Sequence, residues 1–236
     1  MNESPFDALA EKYDAWYDTK GRLAFEIELA ALWPLLPELP KPWLEVGVGT
    51  GRFAERLGIP LGIDPSVGLL AKARQRGISV IHGTGEELPF SDSSFGTVFL
   101  LTTWEFLKRP LVVLREIHRV LRTGGRLVNA YLDREGSWAK SYIEKGEAGH
   151  PLFRHARFDS YEQVVYLTEQ AGFRVTKSLS TLFQGPGETT QPEEPRPGYH
   201  KGASFVVVVA ERQEPGPGAG ETAAGGHAPG RGQVIS

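Results

Sequence analysis

The chain has 236 residues, 40% of them hydrophobic and 23% charged, with 28 glycines, 17 prolines and no cysteine. A formal charge of −3 argues against nucleic acid as a partner, because phosphate neutralisation needs a strongly basic surface. The lack of cysteine excludes disulfides, thiolate metal sites, iron–sulfur clusters and cysteine nucleophiles.

Residues 1–40 read as an N-terminal helical cap. The opening Met1-Asn2-Glu3-Ser4-Pro5 carries neither the basic nor the apolar stretch of a cleaved signal. The longest purely apolar run, 205–210, is far shorter than the ~20 residues of a bilayer span, so a cytoplasmic protein with no membrane partner is expected. Beyond the cap, β-rich runs at 43–46, 61–63, 79–82, 97–101 and 126–131 alternate with helical patterns at 51–57, 67–76, 111–122 and 161–171. Two further strands follow at 173–179 and 204–210. This alternation predicts an α/β domain over 41–211: a doubly wound, Rossmann-like sheet of about seven strands, mostly parallel with the last strand antiparallel, and helices on both faces. Loop insertions at 133–158 and 180–203 are expected to carry substrate contacts. In helix 111–122 the apolar stripe Leu111, Leu114, Ile117, Val120 and Leu121 opposes Arg115, Arg119 and Arg122, which read as a solvated face. Residues 212–236, rich in glycine and proline, are expected to form a disordered tail.

Ligands in such sheets sit at the carboxyl ends of the strands. There the first strand ends in Gly47-Val48-Gly49-Thr50-Gly51 and opens into a helix. Alternating glycines permit a tight turn and a close ligand approach; a Cβ at Gly47 or Gly49 would occupy the ligand's space. The second strand ends in Asp64-Pro65-Ser66. Asp64 can accept hydrogen bonds from both hydroxyls of a ribose, or it can cap the next helix, a role also open to Ser66. After the third strand, Gly83-Thr84-Gly85-Glu86 could meet an adenine edge.

These three segments, with Glu116-Ile117-His118-Arg119-Val120-Leu121-Arg122-Thr123-Gly124-Gly125 and Tyr13-Asp14-Ala15-Trp16-Tyr17, resemble class I S-adenosylmethionine-dependent methyltransferases, most closely the small-molecule, ubiquinone/menaquinone-biosynthesis type. The resemblance spans residues 6–210. It implies S-adenosyl-L-methionine as cofactor and S-adenosyl-L-homocysteine as product. It further implies that Gly47, Gly49 and Gly51 line the cofactor, Glu45 orients its ammonium and Asp64, with Pro65 and Ser66 beside it, holds the ribose. Thr84, Gly85 and Glu86 then surround the adenine, Leu101 and Thr102 meet the methionine end, and Tyr13 and Tyr17 close over it, unless those tyrosines merely pack on the sheet. The chain departs from the family at Thr84, usually Asp, at Gly96, usually Asp, and at Thr123, usually Pro.

Methyl transfer from a sulfonium is an in-line displacement in which positioning does most of the work. A base is needed only where the acceptor must lose a proton. Glu105 could accept that proton or bind a cationic substrate. Trp104 could offer a ring face to an amine, and Arg154, Arg157 and Tyr199, with His150, His155 and His200 nearby, could line the acceptor pocket. The histidines lack zinc-type spacing, so no metal is expected. A small organic acceptor fits best. A non-catalytic cofactor-binding module is the main alternative, and a nicotinamide oxidoreductase a weaker one, since its glycines are spaced differently.

Overall fold

The computed structural model describes Phe6 and residues 9–214. Two helices, α1 (Ala10–Trp16) and α2 (Arg22–Leu32), precede the sheet. The sequence then runs β1 (Trp43–Val46), α3 (Arg52–Leu57), β2 (Leu61–Asp64), α4 (Val67–Gln75), β3 (Ser79–His82), β4 (Phe95–Leu101), α5 (Pro110–Val120) and β5 (Leu121–Leu132). The remainder is α6 (Ser137–Glu147), α7 (Tyr161–Gln170), β6 (Phe173–Thr181), β7 (Arg196–Pro197) and β8 (Phe205–Arg212). The strands form one sheet in the order β3-β2-β1-β4-β5-β8-β6-β7. Pairs among the first five are parallel, and β8 lies antiparallel between β5 and β6. The eighth strand, beyond the seven expected, is the two-residue β7 on the edge. The order reverses between β1 and β4, where their carboxyl ends diverge.

Strand alternation explains why the sheet is covered on both sides. In β4 all seven residues are buried: Phe99 and Leu101 pack with α2, α3 and α4, whereas Val98 and Leu100 pack with α5 and α7. In β8, Val207 and Val209 face the first layer and Val206 and Val208 the second. A strand buried on both faces reads as a continuous apolar run, as Val206-Val207-Val208-Val209 does.

Three expectations change. Helix α6 occupies residues expected as a loop, because Trp138, Ala139 and Tyr142 give it an apolar side against the first layer. Arg119 is not part of a solvated face: it pairs with Glu116 and Asp92 and donates to the Leu88 and Phe90 carbonyls, pinning the β3–β4 connection. Strand β8 runs to Arg212, and the Gln213 amide donates to the Gly172 carbonyl, so the expected tail begins inside the domain; residues 215–236 lie outside the described residues.

The Gly96 departure has a packing cause. A Cβ there would stand 2.4 Å from the Pro40 carbonyl oxygen and 2.6 Å from that of Lys41. The segment leading into β1 is hydrogen-bonded at this point, with Gly96 N–H donating to Pro42 O at 2.9 Å. A side chain would force backbone against backbone, so Gly96→Ala is expected to cost about 1–3 kcal/mol in urea unfolding with an unchanged m value. A loss under about 0.5 kcal/mol would refute the contact.

Candidate active site

The turn after β1 needs glycine for three different reasons. Gly47, Gly49 and Gly51 have φ of +77°, +53° and +80°, a region that L side chains avoid. At Gly47 a Cβ would collide with the Thr103 side chain at 2.3 Å, so the protein's own packing already requires glycine there. At Gly51 it would press on Ala73 of α4 at 3.1 Å. At Gly49 it would meet only a Leu69 methyl at 3.9 Å, in open space.

Asp64, at the end of β2, anchors this turn. One oxygen accepts from the Gly49 amide at 2.9 Å and the other from the Ser66 amide at 2.8 Å. Ser66 in turn caps α4, its hydroxyl accepting from the Leu69 amide at 3.2 Å, while Pro65 is exposed. Glu45, one strand over, is 1% exposed, and its Oε2 has no hydrogen-bond partner among the described residues. Burial, then the nearby Asp64 charge, holds the Glu45 carboxyl well above the usual range. After β3, Thr84 is exposed while Gly85 and Glu86 are half-buried.

The opposite rim follows β4. Leu101 turns into the first core layer. Thr102 adopts φ +48°, unusual for a β-branched residue, and its amide donates to the Ala130 carbonyl at 2.8 Å. Against this rim stand Tyr13 and Tyr17, their hydroxyls 2.9 Å apart. Burial pushes the Tyr13 hydroxyl up to about 12. Tyr17 packs edge-on against Phe25 and Phe53, so the packing role is present at this residue. Both are held in place by Asp14, which accepts from Arg52 and Arg76 at 2.9 Å each, while Arg76 also donates to the Thr50 carbonyl. Burial would raise Asp14, yet these two guanidinium groups bring it to about 2. No sequence motif announced this clamp.

Glu105 is 3% exposed. One oxygen accepts from the Leu132 amide, whereas Oε2 has no partner among the described residues; burial pushes its carboxyl to about 7. Trp104, expected to present its ring to a substrate, is instead fully buried among the α5 and α7 side chains. That burial is tolerated because its indole N–H reaches Asp159 at 3.1 Å. Arg157 forms an ion pair with the same Asp159 at 2.7 Å, and its amide donates to the Glu105 carbonyl, so it braces Glu105 from behind. Arg154 is exposed and donates to His155. His150 accepts from the Leu152 and Phe153 amides, and His200 bonds the Pro197 carbonyl. Tyr199 stacks on Tyr161 with ring centroids 4.3 Å apart. Among the described residues no group of three histidine, aspartate or glutamate side chains is arranged for a metal, and no helix is long and apolar enough to cross a membrane.

The sequence reading missed Glu28. It lies on α2, is 4% exposed, and has no hydrogen-bond or ion-pair partner among the described residues. Burial, then the Glu105 charge, raises its carboxyl to about 8. Tyr142 on α6 lies in the fields of both acids.

The strand order, with one antiparallel strand between the fifth and sixth, is that of a Rossmann-like methyltransferase fold. Residues 44–129 match the family model described as a methyltransferase domain. A crystal structure from Thermotoga maritima, described as an S-adenosylmethionine-dependent methyltransferase and possible histamine N-methyltransferase, superposes with a TM-score of 0.82. It shares 37% identity and covers 89% of this chain and 98% of its own. An uncharacterized protein of Mycobacterium tuberculosis is 41% identical over 86% of this chain and 72% of its own length. Another, from Methanocaldococcus jannaschii, is 35% identical over 88% and 98%. The chain therefore belongs to the S-adenosylmethionine-dependent methyltransferases. Membership leaves no support for the nicotinamide alternative.

A carboxyl whose pKa is raised by folding holds its proton more tightly in the folded chain. It therefore costs stability as pH climbs from its ordinary 4.5 through its folded value. Glu28→Gln is expected to change Tm little at pH 5 and to raise it by roughly 5 °C at pH 8.5, read by calorimetry. Equal shifts at the two pH values would show that Glu28 carries no folding-linked proton.

Proposed function

We propose that this protein transfers the methyl group of S-adenosylmethionine to a small organic acceptor, chiefly by aligning the two at the switch point between β1 and β4. The supporting observation is Glu45. A buried carboxyl with a partnerless oxygen, one strand from Asp64 and within reach of its charge, is costly unless a cation completes it. The ammonium of the methionine moiety supplies that cation. Asp64, whose two oxygens accept from the Gly49 and Ser66 amides, is the carboxylate that would accept from the ribose hydroxyls. Pro65 and Ser66 continue this edge, Thr84, Gly85 and Glu86 form the adenine side, and Thr102 with Tyr13 and Tyr17 covers the methionine end.

Bound there, the cofactor supplies a methyl group already activated by positive sulfur. The chain's own part is to orient and to exclude water, and orientation alone can contribute roughly 7–11 kcal/mol. The tyrosines and Phe6, whose ring packs edge-on against Tyr13 and Phe106, form the dry side. Glu105, at about 7, is poised to take a proton from an acceptor near neutral pH. The description of the Thermotoga relative puts small nitrogen compounds among the acceptors to test.

Glu45→Gln keeps the shape and removes the charge. S-adenosylhomocysteine is expected to bind this variant roughly 10- to 100-fold more weakly by calorimetry, with Tm unchanged or raised. Methylthioadenosine, which lacks the ammonium, should bind both proteins equally. Unchanged affinity for S-adenosylhomocysteine would remove the assignment. Binding without transfer of labelled methyl to any compound of a metabolite mixture would favour a non-catalytic binding module.

A further inference from the structure

We propose, building on the methyl-transfer reading above, that Glu28 and Glu105 form a recognition site for a small amine that arrives as a cation. Glu28 is 4% exposed and Glu105 3%. Neither forms an ion pair with a lysine or arginine among the described residues: Arg157 is taken by Asp159, Arg52 by Asp14 and Asp18, and Arg76 by Asp14 and Glu55. Buried acids almost never stand without a cation. Nothing in the packing calls for a carboxyl at position 28, since Phe25, Ile27, Leu29, Ala31 and Leu32 around it on α2 belong to the apolar core. Leucine would be the cheaper residue there.

The two acids also share their surroundings. Ring contacts join their elements: Tyr17 packs on Phe25 of α2 with centroids 4.9 Å apart, Phe6 bridges Tyr13 and Phe106 at 5.7 and 4.9 Å, and Trp16 meets Trp138 of α6 at 6.1 Å. The Tyr142 hydroxyl lies in the fields of both acids. Four elements, α1, α2, the turn 104–106 and α6, thus bring two unpaired carboxyls and three phenol rings together. The Tyr142 ring is fixed by stacking on Phe153, with centroids 4.0 Å apart. Aromatic faces beside carboxylates favour an alkylammonium over a neutral or anionic group. Glu45 is a third buried acid, but it stands at the end of β1 beside Asp64, in the cofactor's place.

The chemistry closes on this arrangement. The acceptor enters as R–NH3+ and gives one proton to Glu105. The freed nitrogen lone pair forms the N–C bond as the C–S bond breaks, its electron pair remaining on sulfur. The product leaves as R–NH2+–CH3, and the proton on Glu105 passes to water.

The test is calorimetric binding of phenethylamine and of its neutral counterpart 2-phenylethanol to the full chain at pH 8, with S-adenosylhomocysteine present. The amine is expected to bind at least about tenfold more tightly than the alcohol. Glu28→Gln should erase that preference while leaving the alcohol's affinity and S-adenosylhomocysteine binding intact, with Tm at pH 8 no lower than that of the parent. Glu28→Asp should keep part of the preference. Equal binding of amine and alcohol, no binding of the amine, or a preference that survives Glu28→Gln would overturn the proposal. So would a Glu28→Gln variant that loses affinity for S-adenosylmethionine relative to S-adenosylhomocysteine but still prefers the amine, since the acid would then serve the sulfonium. A chain that shows the amine preference without binding S-adenosylhomocysteine would support the amine site and overturn the methyl-transfer reading instead.

Discussion

The hydrogen bonds from the Gly49 and Ser66 amides to Asp64 are the constraint on which the rest of the site depends. They tie the turn after β1 to the end of β2, so the glycines keep left-handed dihedrals and the Gly49 position stays open. The same carboxylate fixes the start of α4, through Ser66 and its bond to Leu69. One acidic side chain therefore sets the geometry of two adjacent strand ends before any ligand arrives. This is pre-organisation in a literal sense, because the amide groups need not be reoriented during binding.

The sheet carries this arrangement at little expense, but the acids around it do not come free. Glu28, Glu45 and Glu105 are all nearly inaccessible, and burial raises each of them. A core that served only stability would place apolar residues at these positions. Their places, at the carboxyl ends of β1 and β4 and on α2, are where the fold gives up stability, the pattern expected of a functional site. Strain at Thr102, in the same rim, fits that pattern.

Most of the fold was legible because its signals are local. Alternating burial produced the apolar strand runs, and the glycine turn followed by a helix marked the first strand end. Asp64 was legible for the same reason, as an acid at the end of the second strand. What could not be read depends on partners distant in the chain. Asp14 meets Arg52 and Arg76 across 38 and 62 residues. Glu28 and Glu26 alternate on the same short helix, and only tertiary packing decides that Glu28 is buried while Glu26 reaches Arg56 near the surface. Trp104 misled because an aromatic beside a strand end suits a pocket and a core equally; the acceptor for its indole, Asp159, lies 55 residues away. Helix α6 was hidden because few of its residues are buried.

The ionic clamp on Asp14 has a consequence for the order of the N-terminal segment. Helix α1 has only seven residues, and so short a segment has little tendency to stay helical once detached. Its attachment by Arg52 and Arg76 and its own coiling thus rise and fall as one cooperative event. Tyr13 and Tyr17 therefore owe their places to an electrostatic anchorage rather than to any helix-forming tendency of their own. Because Arg76 also bonds the Thr50 carbonyl, that anchorage is shared with the exit of the glycine turn, and a loss of order in one is felt by the other.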